Sequence, residues 1–433
     1  MTELANTVSA KKAIAVAVVL ALAAAFPVFP EGVRLSVKVF PPGAVLSVDG
    51  RPEGPAETAG PVRHYDVPRG FHVLRFQSRG YHPKTVRVDL RDDFFLEEKL
   101  ERSDSRLVLL GETPTGKMPK SVTFTSDGNS LVVPLLAEKG VDLVPADGLF
   151  PRNRIELTPP GSGHRGYVES VLVRSRGEVW VSQMDTGQVH VLREGTWDLL
   201  ESVDTGGRWS KVIALSADER LAFVSNCLTK NVSVVDVASR GLLRTVPVSG
   251  VPRGMAATAD GRFLYVCIFD TGNIDKIDLS DFTVKTTLEF GPGAKRHIVL
   301  DEKRGRGYVS DMATGRVSCF SLDEDRVVSS VWAGSNLNTL AMSGDGRFLF
   351  VSSRGKNNPE TYLKKGPDFG KVTVIDAESM KIVDWTWGRN QPTGLAVSPD
   401  GRRIAFTDFL DDNLEVYDIS GLYGEMPRLT STR

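Results

Sequence analysis

Cysteine is scarce: Cys227, Cys267 and Cys319 are the only three in 433 residues. That count excludes a disulfide-dense scaffold and any four-cysteine metal site. Each falls within or just after an apolar run, so burial as a small hydrophobe is expected, with a Cys227–Cys267 bridge between adjacent repeats as the alternative. Net charge is missing too. The 53 basic residues balance 54 acidic ones, which argues against a nucleic-acid partner held by bulk electrostatics. There is no Cys-x-x-Cys-His haem site, no His-Glu-x-x-His zinc helix, no Gly-x-Ser-x-Gly nucleophile turn and no phosphate-binding P-loop. No cofactor and no metal is therefore expected.

What is present is repetition. Across residues 119–418, seven stretches each carry an apolar strand, an Asp-Gly-type turn, a second apolar strand ending in Val-Ser or its like, a polar loop and further strand. Turns at Asp127-Gly128, Asp218-Glu219, Asp260-Gly261, Asp345-Gly346 and Asp400-Gly401 set the phase. Aspartate bonds its own backbone there and glycine accepts positive φ. Degraded turns at Arg176-Gly177 and around Asp301-Glu302 keep the phase. The spacing is about 42 residues, the length of a four-stranded blade, and it lacks the 3.6-residue periodicity of a helical repeat. The sequence predicts an all-β chain whose main body, residues 105–425, is a seven-bladed β-propeller. The seventh repeat has only three strands, so residues 106–111 are expected to supply the fourth and close the ring.

Phe223-Val224-Ser225-Asn226, Tyr308-Val309-Ser310-Asp311, Val232-Ser233-Val234-Val235-Asp236, Val372-Thr373-Val374-Ile375-Asp376, Pro252-Arg253-Gly254, Pro392-Thr393-Gly394 and Ser398-Pro399-Asp400-Gly401 recur in phase. In these the chain resembles the YVTN family of β-propellers, of the YncE-like kind. Such a resemblance implies the fold, and relatives that include periplasmic binding proteins, surface-layer components and, more distantly, lactonase-like enzymes.

Two further segments precede the ring. In residues 1–30, Lys11 and Lys12 come before an apolar run over residues 13–26, with Ala23-Ala24-Ala25 near its end. This reads as a targeting segment, either a cleaved signal peptide or a retained hydrophobic helix anchored in the inner membrane. Residues 33–101 alternate as strands separated by turns at Pro41-Pro42-Gly43 and Asp49-Gly50. At Pro42-Gly43-Ala44, Val48-Asp49-Gly50, Gly70-Phe71-His72 and Gly80-Tyr81 this module is similar to a PEGA domain. That likeness implies a small β-sandwich of bacterial envelope proteins, serving as spacer or surface dock.

Function is sought at the mouth of the central channel. Aligned by their turns, the blades place Lys120, Glu169, Lys211, Arg253, Arg296, Asn338 and Thr393 there. Four cations on one rim favour an anion. Asp185, Asp270, Asp311 and Asp408, just past the second strands, are expected to pair with those cations across blades. A third reading takes Asp311, Asp408, Asn226 and Gln183 as oxygen ligands for calcium. Blade six also carries a loop about 13 residues longer than its equivalent in blade three, and long loops on rigid scaffolds carry binding residues. Arg354, Lys356, Asn357, Asn358, Tyr362, Lys364, Lys365 and Phe369 of this loop are candidates for a ligand lid.

The sequence thus points to an exported, monomeric, non-catalytic protein of the periplasm or cell envelope that binds at the mouth. Expected partners are an envelope protein, a glycan or an anionic small molecule, and a membrane if the N-terminal segment is uncleaved. The alternative is a lactonase-like hydrolase using a divalent metal or His297, beside Arg296, with Asp311 and Arg253.

Overall fold

The computed structural model describes residues 32–55, 57–150 and 152–424. The predicted targeting segment lies outside them. Among the described residues, no helix is long and apolar enough to cross a membrane. The chain divides between Leu100 and Glu101 into two compact units.

The first unit is a β-sandwich of two four-stranded sheets. One sheet runs Glu57–Ala59, Val62–Val67, Val33–Phe40, Phe94–Lys99 and the other Arg51–Glu53, Val45–Val48, Gly70–Gln77, Lys84–Leu90. Alternation along Val33–Phe40 and Gly70–Gln77 sends Leu35, Val37, Leu74 and Phe76 inward, where each is fully buried.

The second unit is a seven-bladed β-propeller. Six blades are consecutive four-stranded antiparallel sheets, from Thr123–Phe124 in blade one to Lys381–Trp387 in blade six. Blade seven takes three strands from Pro392–Val397, Arg403–Asp408 and Asn413–Asp418 and its fourth from Val108–Pro114, antiparallel to Asn413–Asp418. The closing strand begins two residues later than expected, because residues 102–106 are spent elsewhere. Arg102 Nη1 and the Arg106 amide donate to the buried Asp384 of blade six at 3.2 and 2.8 Å.

The turns show why the sequence folds this way. In five blades a hydroxyl two residues before the turn aspartate donates to its carboxylate: Thr125, Ser216, Thr258, Ser343 and Ser398. The same carboxylate accepts the amide two residues onward, as Asp260 does from Arg262 at 3.0 Å. The two degraded turns are short 3₁₀ helices, Arg174–Arg176 and Glu302–Arg304, each ended by a glycine at positive φ.

A second recurring device joins neighbouring blades and shapes the channel. In blades two to seven the register of the innermost strand slips near its start, leaving a bulge that contains Glu169, Lys211, Arg253, Arg296, Asn338 or Thr393. The hydroxyl at the fifth position of the second strand receives a bulge amide, for example His297 N to Ser310 Oγ at 3.1 Å. It also donates onward to the next blade, Ser310 Oγ to the Asn338 carbonyl at 2.8 Å and Ser352 Oγ to the Thr393 carbonyl at 2.9 Å. The Val-Ser strand endings are therefore stitches between blades. Blade four has Cys267 at this position, fully buried as a free thiol. Cys227 and Cys319 are free and buried too.

Candidate functional site

The bulges present their side chains to the axis, where Lys211, Arg253 and Arg296 meet Lys120 from the equivalent place in blade one, just before its inner strand. Lys120, Lys211, Arg253 and Arg296 line one cavity of about 270 Å³ with Arg354, Asn357 and Tyr362 of the long loop and with Trp209, Phe269 and Met312. In blade five the cavity takes Arg296, while its neighbour Lys295 is buried against Asp311 at 2.6 Å.

The expected cross-blade ion pairs do not form. Asp270 pairs with Lys230, and Asp311 with Lys295. Each of the four aspartates also accepts an amide from the segment leading into its own blade: Arg165 N to Asp185, Val251 N to Asp270, Ala294 N to Asp311 and Arg389 N to Asp408. They are loop staples, occupied by local backbone. The oxygens of the calcium reading are similarly engaged. Asn226 holds Ser210, Ser233 and Asn231, and Gln183 holds Thr186 and His190. No group of three or more His, Cys, Asp or Glu fit to hold a metal ion occurs among the described residues.

The cations are backed instead by aromatic faces. Lys120 Nζ lies 4.6 Å from the Phe409 ring centre, Lys211 Nζ 5.1 Å from Trp209, and the Arg253 guanidinium 4.8 Å from Phe269. The Arg354 guanidinium is 5.7 Å from Phe409 and 6.0 Å from Tyr362. Ring quadrupoles hold the positive groups without neutralising them. Arg253 Nε and Arg354 Nε, on two residues that line this cavity, are buried donors with no hydrogen-bond partner. An unmade bond at a buried polar group is costly, so the two mark a place for acceptors.

Crowding shows in the acidities. Burial pushes Lys211 down to about 7, and Arg253, Arg296 and Arg354 add repulsion. Lys120 is driven well below the usual lysine range by burial, then by Arg354, Arg296, Lys211 and Arg253. Burial and the neighbouring guanidiniums lower Arg296 to about 9. Glu169 occupies the same bulge position in blade two. Burial lifts its carboxyl to about 7 against the pull of Arg296 and Lys120. Lys211 and Glu169, each held near 7, both change charge close to neutral pH.

Several sequence candidates lie elsewhere. Phe369 is 2% exposed and does not line this cavity. Asn358 braces the loop, donating to the Lys365 carbonyl at 3.1 Å and accepting the Glu360 amide at 2.9 Å. Lys364 pairs with Glu360 and Lys365 with Asp411, and neither lines this cavity. Lys356 is exposed beside the cavity, its Nζ 3.9 Å from Asp368. His297 faces a second cavity of about 370 Å³, shared with Glu169 and Thr339 and reaching the far ends of the inner strands. Its imidazole is held at about 4 by burial and by Arg296. Tyr362 is fixed over the mouth through its carbonyl, which accepts Gln391 Nε2 at 2.7 Å.

Sequence reasoning missed Trp209, Phe269, Met312 and Phe409 as mouth residues. The signal was available for three of them. Phe269, Met312, Arg354 and Phe409 each follow directly on the second strand of their blade, so Arg354 is a cation where other blades have an apolar side chain.

Antigen Lp49 of Leptospira interrogans is 34% identical over 360 residues, covering 80% of this chain and 78% of that protein. The chain belongs to the Lp49 family. Beyond the Lp49 family the similarity weakens. A 6-phosphogluconolactonase of Formosa agariphila is 21% identical over 315 residues, with 65% of this chain and 85% of that protein covered. Another, from Erwinia tasmaniensis, is 19% identical over 265 residues, covering 56% and 77%. Among solved structures, a chain of Kuenenia stuttgartiensis hydrazine synthase superposes with a TM-score of 0.58 at 16% identity, covering 71% of this chain and 97% of that one. At that identity the likeness is one of fold. No protein-family model matches the chain.

Proposed function

We propose that the protein is a non-catalytic binding protein of the bacterial cell envelope that captures an anionic ligand at the propeller mouth. The single observation that carries this reading is the ring of Lys120, Lys211, Arg253, Arg296 and Arg354 around one cavity, none of which forms a salt bridge with a carboxylate among the described residues, while burial lifts the carboxyl of the nearby Glu169 to about 7. Export is supported by the basic-then-apolar segment of residues 1–30 and by the printed description of the Lp49 relative as an antigen. The PEGA-like motifs of the first unit and the YVTN-like strands of the second accord with an envelope setting, with the sandwich as spacer. The long loop, held by Asn336 Nδ2 to the Gly355 carbonyl at 2.8 Å and by Gln391 to Tyr362, forms a fixed wall of the site.

Calorimetric titration of the full chain with galacturonate, whose carboxylate stays ionised across neutral pH, tests the reading. Both Lys211 and Glu169 titrate near 7. Below that value Lys211 is charged and Glu169 neutral, so the ring is at its most positive. Binding is expected to tighten as pH falls from 8 to 6, by up to about tenfold per unit for each proton taken up. An affinity that is flat or rises with pH would refute the assignment.

The 6-phosphogluconolactonase relatives support a second reading, hydrolysis of an anionic lactone in the same channel. It predicts turnover of 6-phosphogluconolactone above the spontaneous rate, abolished in His297→Ala. Binding without turnover leaves the first reading in place.

A further inference from the structure

The basic cavity does not end at the loop. Met312 and Asn357 also line an adjoining groove of about 300 Å³ between blades five and six, whose other walls include Trp332, Asn336 and Lys356. The two spaces share Met312 and Asn357 and so lie side by side. Trp332 ends the outer strand of blade five and is 53% exposed, an unusual posture for the largest apolar side chain. Its indole is seated against Gly315, at φ 69, where an added Cβ would come within 2.8 Å of Trp332 Nε1. The ring is thus held in place with much of its surface open. Lys356, its side chain 73% exposed and its Nζ 3.9 Å from Asp368, places an ammonium group outside the ring.

We infer that the ligand is an acidic oligosaccharide: one charged sugar sits in the cation ring, and the following sugars run across Asn357 onto Trp332 with a second carboxylate near Lys356. This deepens the mouth-binding reading above and rests on it. A cavity of about 270 Å³ falls just under the usual range for drug-sized ligands, ~300–1,000 Å³, and so encloses only part of a longer molecule. Sugar C–H faces stack on an open indole, while amides and ammonium groups meet hydroxyls and carboxylates. An acidic peptide would meet the cation ring as acidic motifs meet Arg clusters, and the test keeps it as an outcome; the open indole of Trp332, 53% exposed, favours the flat C–H face of a sugar.

Galacturonate and its α-1,4-linked tetramer, titrated calorimetrically into the full chain, test the inference. The tetramer is expected to bind at least tenfold tighter per molecule than the monomer. Trp332→Ala should erase roughly five- to tenfold of that gain while leaving monomer affinity and the melting temperature unchanged, and Trp332→Phe should restore most of it. Equal affinities for monomer and tetramer, or a tetramer indifferent to Trp332→Ala, would overturn the extended site while the mouth reading survives. Failure of the monomer to bind at all would remove both. Tetraglutamate binding as tightly as the tetramer, with the same dependence on Trp332, would replace the glycan by a peptide.

Discussion

Arg253→Gln combined with Arg296→Gln is expected to abolish detectable galacturonate binding without lowering the melting temperature of the empty protein. A hydrogen bond to a charged group contributes about 1.5–3 kcal/mol, so losing two weakens binding by roughly 10²–10⁴-fold. Stability should move the other way. Lys120 and Lys211 are both disfavoured as cations by Arg253 and Arg296, and Arg253 Nε has no partner to lose. The sign is clear for Lys211. Its folded value of about 7 lies below its unfolded one near 10.5, so charging it in the folded state costs stability progressively as pH falls from about 10.5 to 7. Glu169 acts conversely, its folded value of about 7 lying above 4.5, so its ionisation costs stability as pH rises from about 4.5 to 7. A bound anion offsets the share of the first cost that comes from Arg253 and Arg296, and neutralising those two arginines relieves that share while the burial cost remains. Circular dichroism and calorimetry on the double variant decide. Loss of binding together with a falling melting temperature would mean the arginines hold the ring together and are not there for a ligand.

The difference between what could and could not be read from the sequence follows the range of the contacts involved. Turns are local. Thr258, Asp260 and Gly261 meet within four residues, so the repeat phase and the blade count were legible, and with them the rim positions Lys211, Arg253 and Arg296. The extra length of the blade-six loop was equally legible, because it is a matter of counting. Its internal arrangement was not. Whether Lys365 faces a ligand or Asp411, and whether Phe369 is a lid or a core residue, depends on where the loop folds back on the ring, which no neighbouring residue specifies. His297 failed for a different reason. The bulge between Lys295 and His297 resets the two-residue alternation, so Arg296 and His297 enter separate cavities although adjacent in sequence. The aspartates Asp270, Asp311 and Asp408 misled because carboxylates were matched with distant rim cations, whereas each accepts an amide of its own blade and Asp311 also takes the adjacent Lys295 ammonium.

Closure sets the second large effect: a chain beginning at Gly116 is expected to yield only aggregate or oligomer, while one beginning at Glu101 folds as a monomer. The missing segment supplies the strand Val108–Pro114, paired over the whole length of Asn413–Asp418. Its loss removes about six ladder bonds at ~1 kcal/mol each, comparable to the 5–15 kcal/mol net stability of a domain. Two further costs add to this. Asp384, only 5% exposed, loses Arg102, Ser105 and the Arg106 amide, leaving a buried carboxylate short of partners. The strand Asn413–Asp418, buried along its whole length, becomes an open edge that invites another chain to pair with it. A synthetic peptide of residues 102–115 added during refolding should recover monomer, because it returns both the strand and the Asp384 clamp. Size-exclusion chromatography with light scattering reads the outcome, and a monodisperse, cooperatively melting chain from Gly116 without peptide would show that the ring is held shut by its other blades.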